Sequence, residues 1–112
     1  MSNRTNPELL LADIIEGGNK ILRYTLNMTY GEFISNEIIL DAVIRNFEVI
    51  GEAANRLPDE FKSKYDNIDW HRIRGFRNRI VHDYAGIDYE IVWQIKETFL
   101  PNMLLQIGEI MG

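Results

Sequence analysis

Within the eight residues Arg77-Asn78-Arg79-Ile80-Val81-His82-Asp83-Tyr84 the chain carries guanidinium groups, an imidazole and a phenol. Arginine stays charged and offers phosphate oxygens a planar fork of donors. Histidine is the side chain whose unperturbed pKa lies near neutrality, so it can take up and return a proton. Together these residue types suit chemistry on a phosphate. The basic character extends upstream. Between His71 and Arg79 stand four of the twelve lysines and arginines, namely Arg72, Arg74, Arg77 and Arg79, with no acid among them. Taken singly, Arg72 and Arg79 also fit a solvated helix face, so the meaning of the cluster depends on the elements that position it.

Those elements read as helices, with apolar residues recurring at three and four. Asn6 as N-cap and Pro7 at the first helical position open a first helix. Leu10, Leu11, Ile14, Ile15, Ile21 and Leu22 form its buried stripe, which runs to about Met28. Gly17-Gly18 interrupts the pattern. Glycine inside a helix costs about 1 kcal/mol relative to alanine, so the pair predicts a bend or unusually close packing. A second long helix runs from about Asn36 to Arg56, with Ile39, Val43, Phe47, Ile50, Ala54 and Leu57 on one stripe. Ile38, Ala42, Val49 and Ala53 widen it, leaving a narrow polar line of Asp41, Arg45, Glu48, Glu52 and Arg56. So wide an arc implies contact on two sides, one being the core and a second chain a candidate for the other. Leu57-Pro58 ends this helix, and residues 59–64 form a short amphipathic segment with Phe61 and Tyr65 inward.

Asp69 caps a third helix that begins at Trp70, carries the motif and ends near Gly86, a residue suited to a left-handed C-terminal turn. Asp88 caps a last helix, with Ile91, Val92, Ile95, Phe99, Leu104, Ile107 and Ile110 on its apolar side and a kink predicted at Pro101. The resulting fold is all-α, a single domain spanning 1–112, arranged as an antiparallel four-helix bundle with short additional helical segments.

Composition narrows the function classes. Hydrophobic residues make up 46% and charged residues 26% of the 112, the balance of an ordinary globular protein. There is no cysteine, which excludes disulfides and thiolate metal sites and permits a reducing compartment. No apolar run approaches the roughly 20 residues of a membrane span, and no signal-peptide core follows Met1-Ser2-Asn3-Arg4-Thr5, so the expected location is cytoplasmic, off the membrane. A formal net charge of −5 argues against nonspecific coating of nucleic acid, which needs many lysines and arginines. A basic strip on an acidic body fits a small phosphate site. No metal is expected, because His71 and His82 lie eleven apart and no His/carboxylate grouping has ligand spacing.

On a continuous third helix, Ile73, Phe76, Ile80, Val81 and Tyr84 share one arc with Arg77 inside it. An unpaired charge there is unfavourable, so Arg77 must meet an acid or look into a polar cleft. Arg74, Asn78 and His82, spaced at four and four, line an adjoining edge. Arg77 and His82 fall about 140° apart with roughly 7.5 Å of rise, flanking a groove. On these residues alone His82 can equally cap or pack a helix end, and Tyr84 reads as a partly buried ring with its hydroxyl satisfied.

Arg77 to Tyr84 resembles the Arg-(four residues)-His-x-Tyr signature of the HEPN superfamily, in its HepT-like toxin branch. Ala42 to Ala54 is similar to that family's central helix, Ile68-Asp69-Trp70 to the approach to the motif helix, and Tyr89 to Trp93 to the start of its last helix. The resemblance implies a HEPN-like homodimeric helical bundle and metal-independent endoribonuclease activity without a cofactor, its composite site lying where two motif helices meet. Arg77 and His82 occupy the catalytic positions, with Asn78 in support. The resemblance further implies a toxin-antitoxin pair, in which an MntA-like nucleotidyltransferase antitoxin transfers AMP onto the tyrosine corresponding to Tyr84.

The expected reaction is attack of the 2′-hydroxyl on the neighbouring phosphate. His82 acts as general base or acid, Arg77 stabilises the phosphoryl oxygens, and Arg74 and Arg79 guide RNA. Two other readings stand beside it. One is a noncatalytic module that binds a nucleotide or a nucleotidyltransferase, with Arg77 as a phosphate contact only. The other is a structural dimer in which Arg77 pairs with Glu48 or Glu52 and His82 only caps a helix.

Overall fold

A computed structural model of the protein describes residues 6–82 and 86–112. The described chain is all-α apart from one pair of two-residue strands. Helix α1 spans Pro7–Tyr24, α2 Tyr30–Ile34, α3 Glu37–Arg56 and α4 Asp59–Lys64. The motif region follows as α5 (Trp70–Arg74) and α6 (Phe76–Ile80), then strands β1 (Val81–His82) and β2 (Gly86–Ile87). Helix α7 (Tyr89–Gln94) runs through a π-helical segment, Ile95–Phe99, into α8 (Leu100–Met111).

The helix starts obey local chemistry. The Asn6 side chain accepts a hydrogen bond from the Glu8 N–H at 2.9 Å, with Pro7 beginning α1. Asn36 accepts from Ile39 at 3.1 Å, Asp69 from Arg72 at 3.0 Å and Asp88 from Ile91 at 3.1 Å. Each bond satisfies a backbone donor that has no partner inside its own helix. Thr29 and Glu32 form a reciprocal capping box that starts α2, and the first helix ends at Tyr24, short of Met28.

Packing explains the paired glycines. Helix α1 lies most extensively against α3 and also against α8. A β-carbon on Gly17 would stand 3.1 Å from Ile50 Cγ1, and one on Gly18 would stand 2.6 Å from Leu104 Cδ2. The pair is therefore a close-approach surface between three helices. The wide apolar arc of α3 packs against α1 and against α5 and α6. Ile38 does not belong to that arc, being 80% exposed at the start of α3. Leu40, Val43, Phe47, Ile50, Ala53 and Ala54 are buried and join Leu10, Leu11, Ile14, Ile73, Phe76, Ile80, Leu100 and Ile107 in one hydrophobic cluster. Phe61 and Tyr65 turn inward as expected, half-buried with ring centroids 5.0 Å apart.

Two expectations for the second half are corrected. The third helix does not run from Trp70 to Gly86. It is interrupted at Gly75, whose N–H bonds to His71 at 3.0 Å, and it ends at Ile80. Val81 is extended, with ψ 124°, and the chain turns into a short antiparallel pair in which Val81 faces Ile87 and His82 faces Gly86. Gly86 has φ +82°, the left-handed backbone its sequence position implied, but it serves a strand rather than a helix cap. β-branched Val81 and Ile87 suit the extended pairing. Around Pro101 the helix is not regular: it widens into the π segment Ile95–Phe99 just before the proline.

Candidate functional site

A cleft of about 700 Å³ opens between α3 and the α5–α6 segment. Its α5–α6 wall carries His71, Arg72, Arg74, Arg77, Asn78 and Arg79. The opposite wall is the polar edge of α3, with Glu48, Glu52 and Asn55, and Asp69 closes one end. All four arginines of the basic strip therefore reach one concavity, although the third helix is broken. The break matters for how they do so. With α5 closed at Gly75, the regular four-residue spacing of Arg74, Asn78 and His82 does not describe one helix edge, and Val81–His82 lie on extended backbone.

Arg77 is not in the apolar arc. Its side chain is 64% exposed and its Nε sits 3.9 Å from Glu48 Oε2. An ion pair this long and this open contributes about 0–1 kcal/mol, so Arg77 can exchange Glu48 for another anion. Glu52 is held separately by Arg56, whose Nε donates to Glu52 Oε2 at 2.7 Å. Asp69 is engaged as the α5 cap. Among the three acids of the cleft, Glu48 is the one facing a site arginine in an ion pair.

The other arginines differ in how firmly they are held. Arg74 Nη2 lies 3.3 Å from His71 Nδ1 on the same helix face. Asn78 and Arg79 are exposed. Arg72 is half-buried, with Cζ 4.5 Å from the centroid of the Phe99 ring. Its Nε is sealed from solvent without a hydrogen-bond partner. Leaving such a donor unpaired costs about 1–3 kcal/mol, partly offset by about 0.5–2 kcal/mol from the cation–π contact. Phe99 is fixed in turn by edge-to-face packing on Phe76 at 5.6 Å, and Phe76 by Phe47 of α3 at 5.3 Å. An aromatic column from three separate elements thus supports the arginine wall.

Of the residues singled out from sequence, Arg74, Arg77, Asn78 and Arg79 come together in the cleft. The His82 backbone follows in β1, two residues after Ile80 closes α6. The His82 imidazole and Tyr84 lie outside the described residues. Sequence reasoning did not foresee the Arg72–Phe99 contact or Asn55 as a lining residue. Asn55 carried a usable signal, because Glu48, Glu52 and Asn55 recur at four and three on the polar edge of α3. Among the described residues, no three His, Asp or Glu side chains converge as metal ligands do, and no helix is long and apolar enough to cross a membrane.

Several known proteins are similar to the chain. A Methanocaldococcus jannaschii protein named "Putative RNase MJ1380" is 37% identical over 107 residues, covering 96% of this chain and 97% of the relative. Another from the same organism, "Putative RNase MJ0127", is 41% identical over 100 residues, covering 89% and 83%. A Thermococcus cleftensis protein named "Probable ribonuclease HepT" is 30% identical over 93 residues, covering 83% and 84%. No solved structure is significantly similar to the chain. Residues 14–110, which include every element that builds the cleft, match the family model described as Ribonuclease HepT-like, and the chain belongs to that HepT-like family.

Proposed function

We propose that the protein is a metal-independent endoribonuclease whose site is the arginine-walled cleft together with His82. The observation that carries this reading is the convergence of Arg74, Arg77, Asn78 and Arg79 on one concavity, with the strand bearing His82 following α6 in the chain. Family membership and the ribonuclease names of its relatives support it. In the reaction the 2′-oxygen bonds to the adjacent phosphorus as the bond to the 5′-oxygen breaks. The products are a 2′,3′-cyclic phosphate and a 5′-hydroxyl. His82 takes the proton from the 2′-hydroxyl or delivers one to the leaving oxygen, and Arg77 leaves Glu48 to neutralise the phosphoryl oxygens as charge builds. Asn78 orients the histidine or a phosphate oxygen, while Arg74 and Arg79 attract the RNA backbone.

One chain supplies one motif histidine, whereas the reaction uses a base and an acid. A homodimer with two-fold symmetry provides the second imidazole. The protein acts in the cytoplasm as the toxin of a toxin-antitoxin pair. An MntA-like nucleotidyltransferase antitoxin silences it by placing AMP on Tyr84, two residues beyond His82. The added bulk and negative charge then occupy the region where a substrate phosphate must bind.

The test is RNA cleavage in chelator with analysis of the product ends. Wild type yields cyclic phosphate ends, and His82→Ala or Arg77→Ala loses at least about 100-fold in rate while remaining folded. Full activity in either variant rejects the assignments. A dimer that binds nucleotide but leaves RNA uncut establishes the noncatalytic module instead. Co-expression with an MntA-like nucleotidyltransferase and mass spectrometry test Tyr84, and an unmodified tyrosine rejects the AMP-transfer step.

A further inference from the structure

We propose that Arg72 is an RNA-binding residue of this site, holding a backbone phosphate of single-stranded RNA, and that Phe99 is the positioning residue that aims it. The inference rests on the ribonuclease reading for the identity of the ligand. Its physical basis is the contrast between Arg72 and the other arginines of the cleft. Arg77 faces Glu48 at 3.9 Å and Arg74 leans on His71 at 3.3 Å. Arg79 is exposed, as a solvated surface arginine is. Arg72 lines the same cleft half-buried, and among the described residues its guanidinium has neither a carboxylate nor a hydrogen-bond acceptor. What holds it is the Phe99 ring, 4.5 Å from Cζ.

A cation–π contact orients a guanidinium without supplying a counter-charge. Arg72 is therefore a directed cation whose guanidinium has no ion-pair partner among the described residues, and an anion meeting it gains charge pairing with little side-chain ordering left to do. Because Nε is sealed, contact falls to the two terminal amino groups, a geometry suited to the paired oxygens of a phosphodiester. This gives the π segment a role. It ends at Phe99, where the widened turn ahead of Pro101 sets the ring against both Phe76 and Arg72.

Binding is measured by fluorescence anisotropy with a short single-stranded 2′-deoxy oligonucleotide, which keeps the phosphates and lacks the attacking hydroxyl, across a salt series. Arg72→Ala should weaken binding roughly tenfold and lower the log–log salt slope by about 0.7, the value for one phosphate contact on a single strand. Arg72→Lys, which cannot seat a planar fork over the ring, should recover less than half of that loss in log units. Phe99→Leu should weaken binding about threefold, Phe99→Tyr should stay within about twofold of wild type, and Arg72→Ala/Phe99→Leu should bind no worse than Arg72→Ala alone. That non-additivity separates aiming of Arg72 from general loosening of the core. Wild-type affinity and salt slope in Arg72→Ala overturn the proposal, as does a wild type that does not bind the oligonucleotide. Additive losses in the double variant overturn the role of Phe99. Uncut RNA with these binding results intact would reject the ribonuclease reading while leaving Arg72 as the anion contact.

Discussion

Replacing Glu48 with glutamine tests whether the cleft acid competes with substrate for Arg77. The carboxylate stands 3.9 Å from Arg77 Nε, with the two side chains 64% and 39% exposed in the order arginine, glutamate. At about 4 Å in a solvent of high dielectric constant, two unit charges interact by about 1 kcal/mol, which also bounds what exposed pairs contribute. Glu48→Gln should therefore change folding stability by less than about 1 kcal/mol. It also frees Arg77 and removes a like charge from the path of an incoming phosphate. About 1 kcal/mol corresponds to roughly fivefold in affinity, so KM for RNA should fall by up to about fivefold with kcat within about twofold of wild type. The gain should fade as salt rises, because the screening length shrinks from about 10 Å at 0.1 M to about 3 Å at 1 M. Steady-state cleavage kinetics at several salt concentrations measure this. A kcat loss beyond about tenfold would refute the competition argument and make Glu48 part of the catalytic machinery.

Glycine positions in the helices should separate by what faces them. A β-carbon on Gly108 of α8 meets nothing within 4 Å, so Gly108→Ala should stabilise the fold by about 0.5–1 kcal/mol in denaturant melts. Gly17→Ala gains the same propensity but presses on fully buried Ile50 at 3.1 Å, where overpacking costs about 1–3 kcal/mol, so it should be neutral to destabilising. Asp69→Ala removes the N-cap that receives the Arg72 N–H, costing about 1 kcal/mol of stability and weakening RNA binding through a frayed α5; unchanged values of both would contradict the positioning role of the cap. Tyr30 is half-buried with its ring edge-to-face on Trp93, and burial first, then the Glu90 and Asp88 carboxylates, hold its hydroxyl above the ordinary value of 10.0. The unfolded chain therefore ionises first. The contribution of the neutral phenol is complete below that ordinary value and is lost as pH rises through the folded one, so Tyr30→Phe should flatten the alkaline limb of a thermal-melt series.

Local chemistry made much of the fold legible. Asn6-Pro7, Asn36, Asp69 and Asp88 start helices where their side chains satisfy the first backbone donors, a decision made within three residues of sequence. The apolar stripes of α1 and α3 supply buried residues at helical spacing for the same reason. Helix ends were less legible. Periodicity carried the motif helix on through Val81 and Tyr84, but Ile80 is followed by extended backbone paired with Gly86–Ile87, and strand pairing is not visible in a single helical repeat. The same error put Arg77 into the apolar arc. Its register with Ile73 and Ile80 was correct on an unbroken helix, but the side chain is exposed and faces Glu48. The paired glycines implied a bend or close approach, and only the positions of Ile50 and Leu104 decide for close approach.

The sequence by itself determined that this chain folds as helices, where most of them begin, and that its unusual chemistry is concentrated between His71 and Tyr84, because composition, capping and periodicity act over a few residues. Tertiary structure decided which partner each of those groups meets. Glu48 lies twenty-nine positions before Arg77, and Phe99 lies twenty-seven after Arg72, yet the packing of α3 and the π segment around Phe76 brings each pair within 5 Å. Contacts across such separations depend on how whole faces interlock, and no local pattern encodes that.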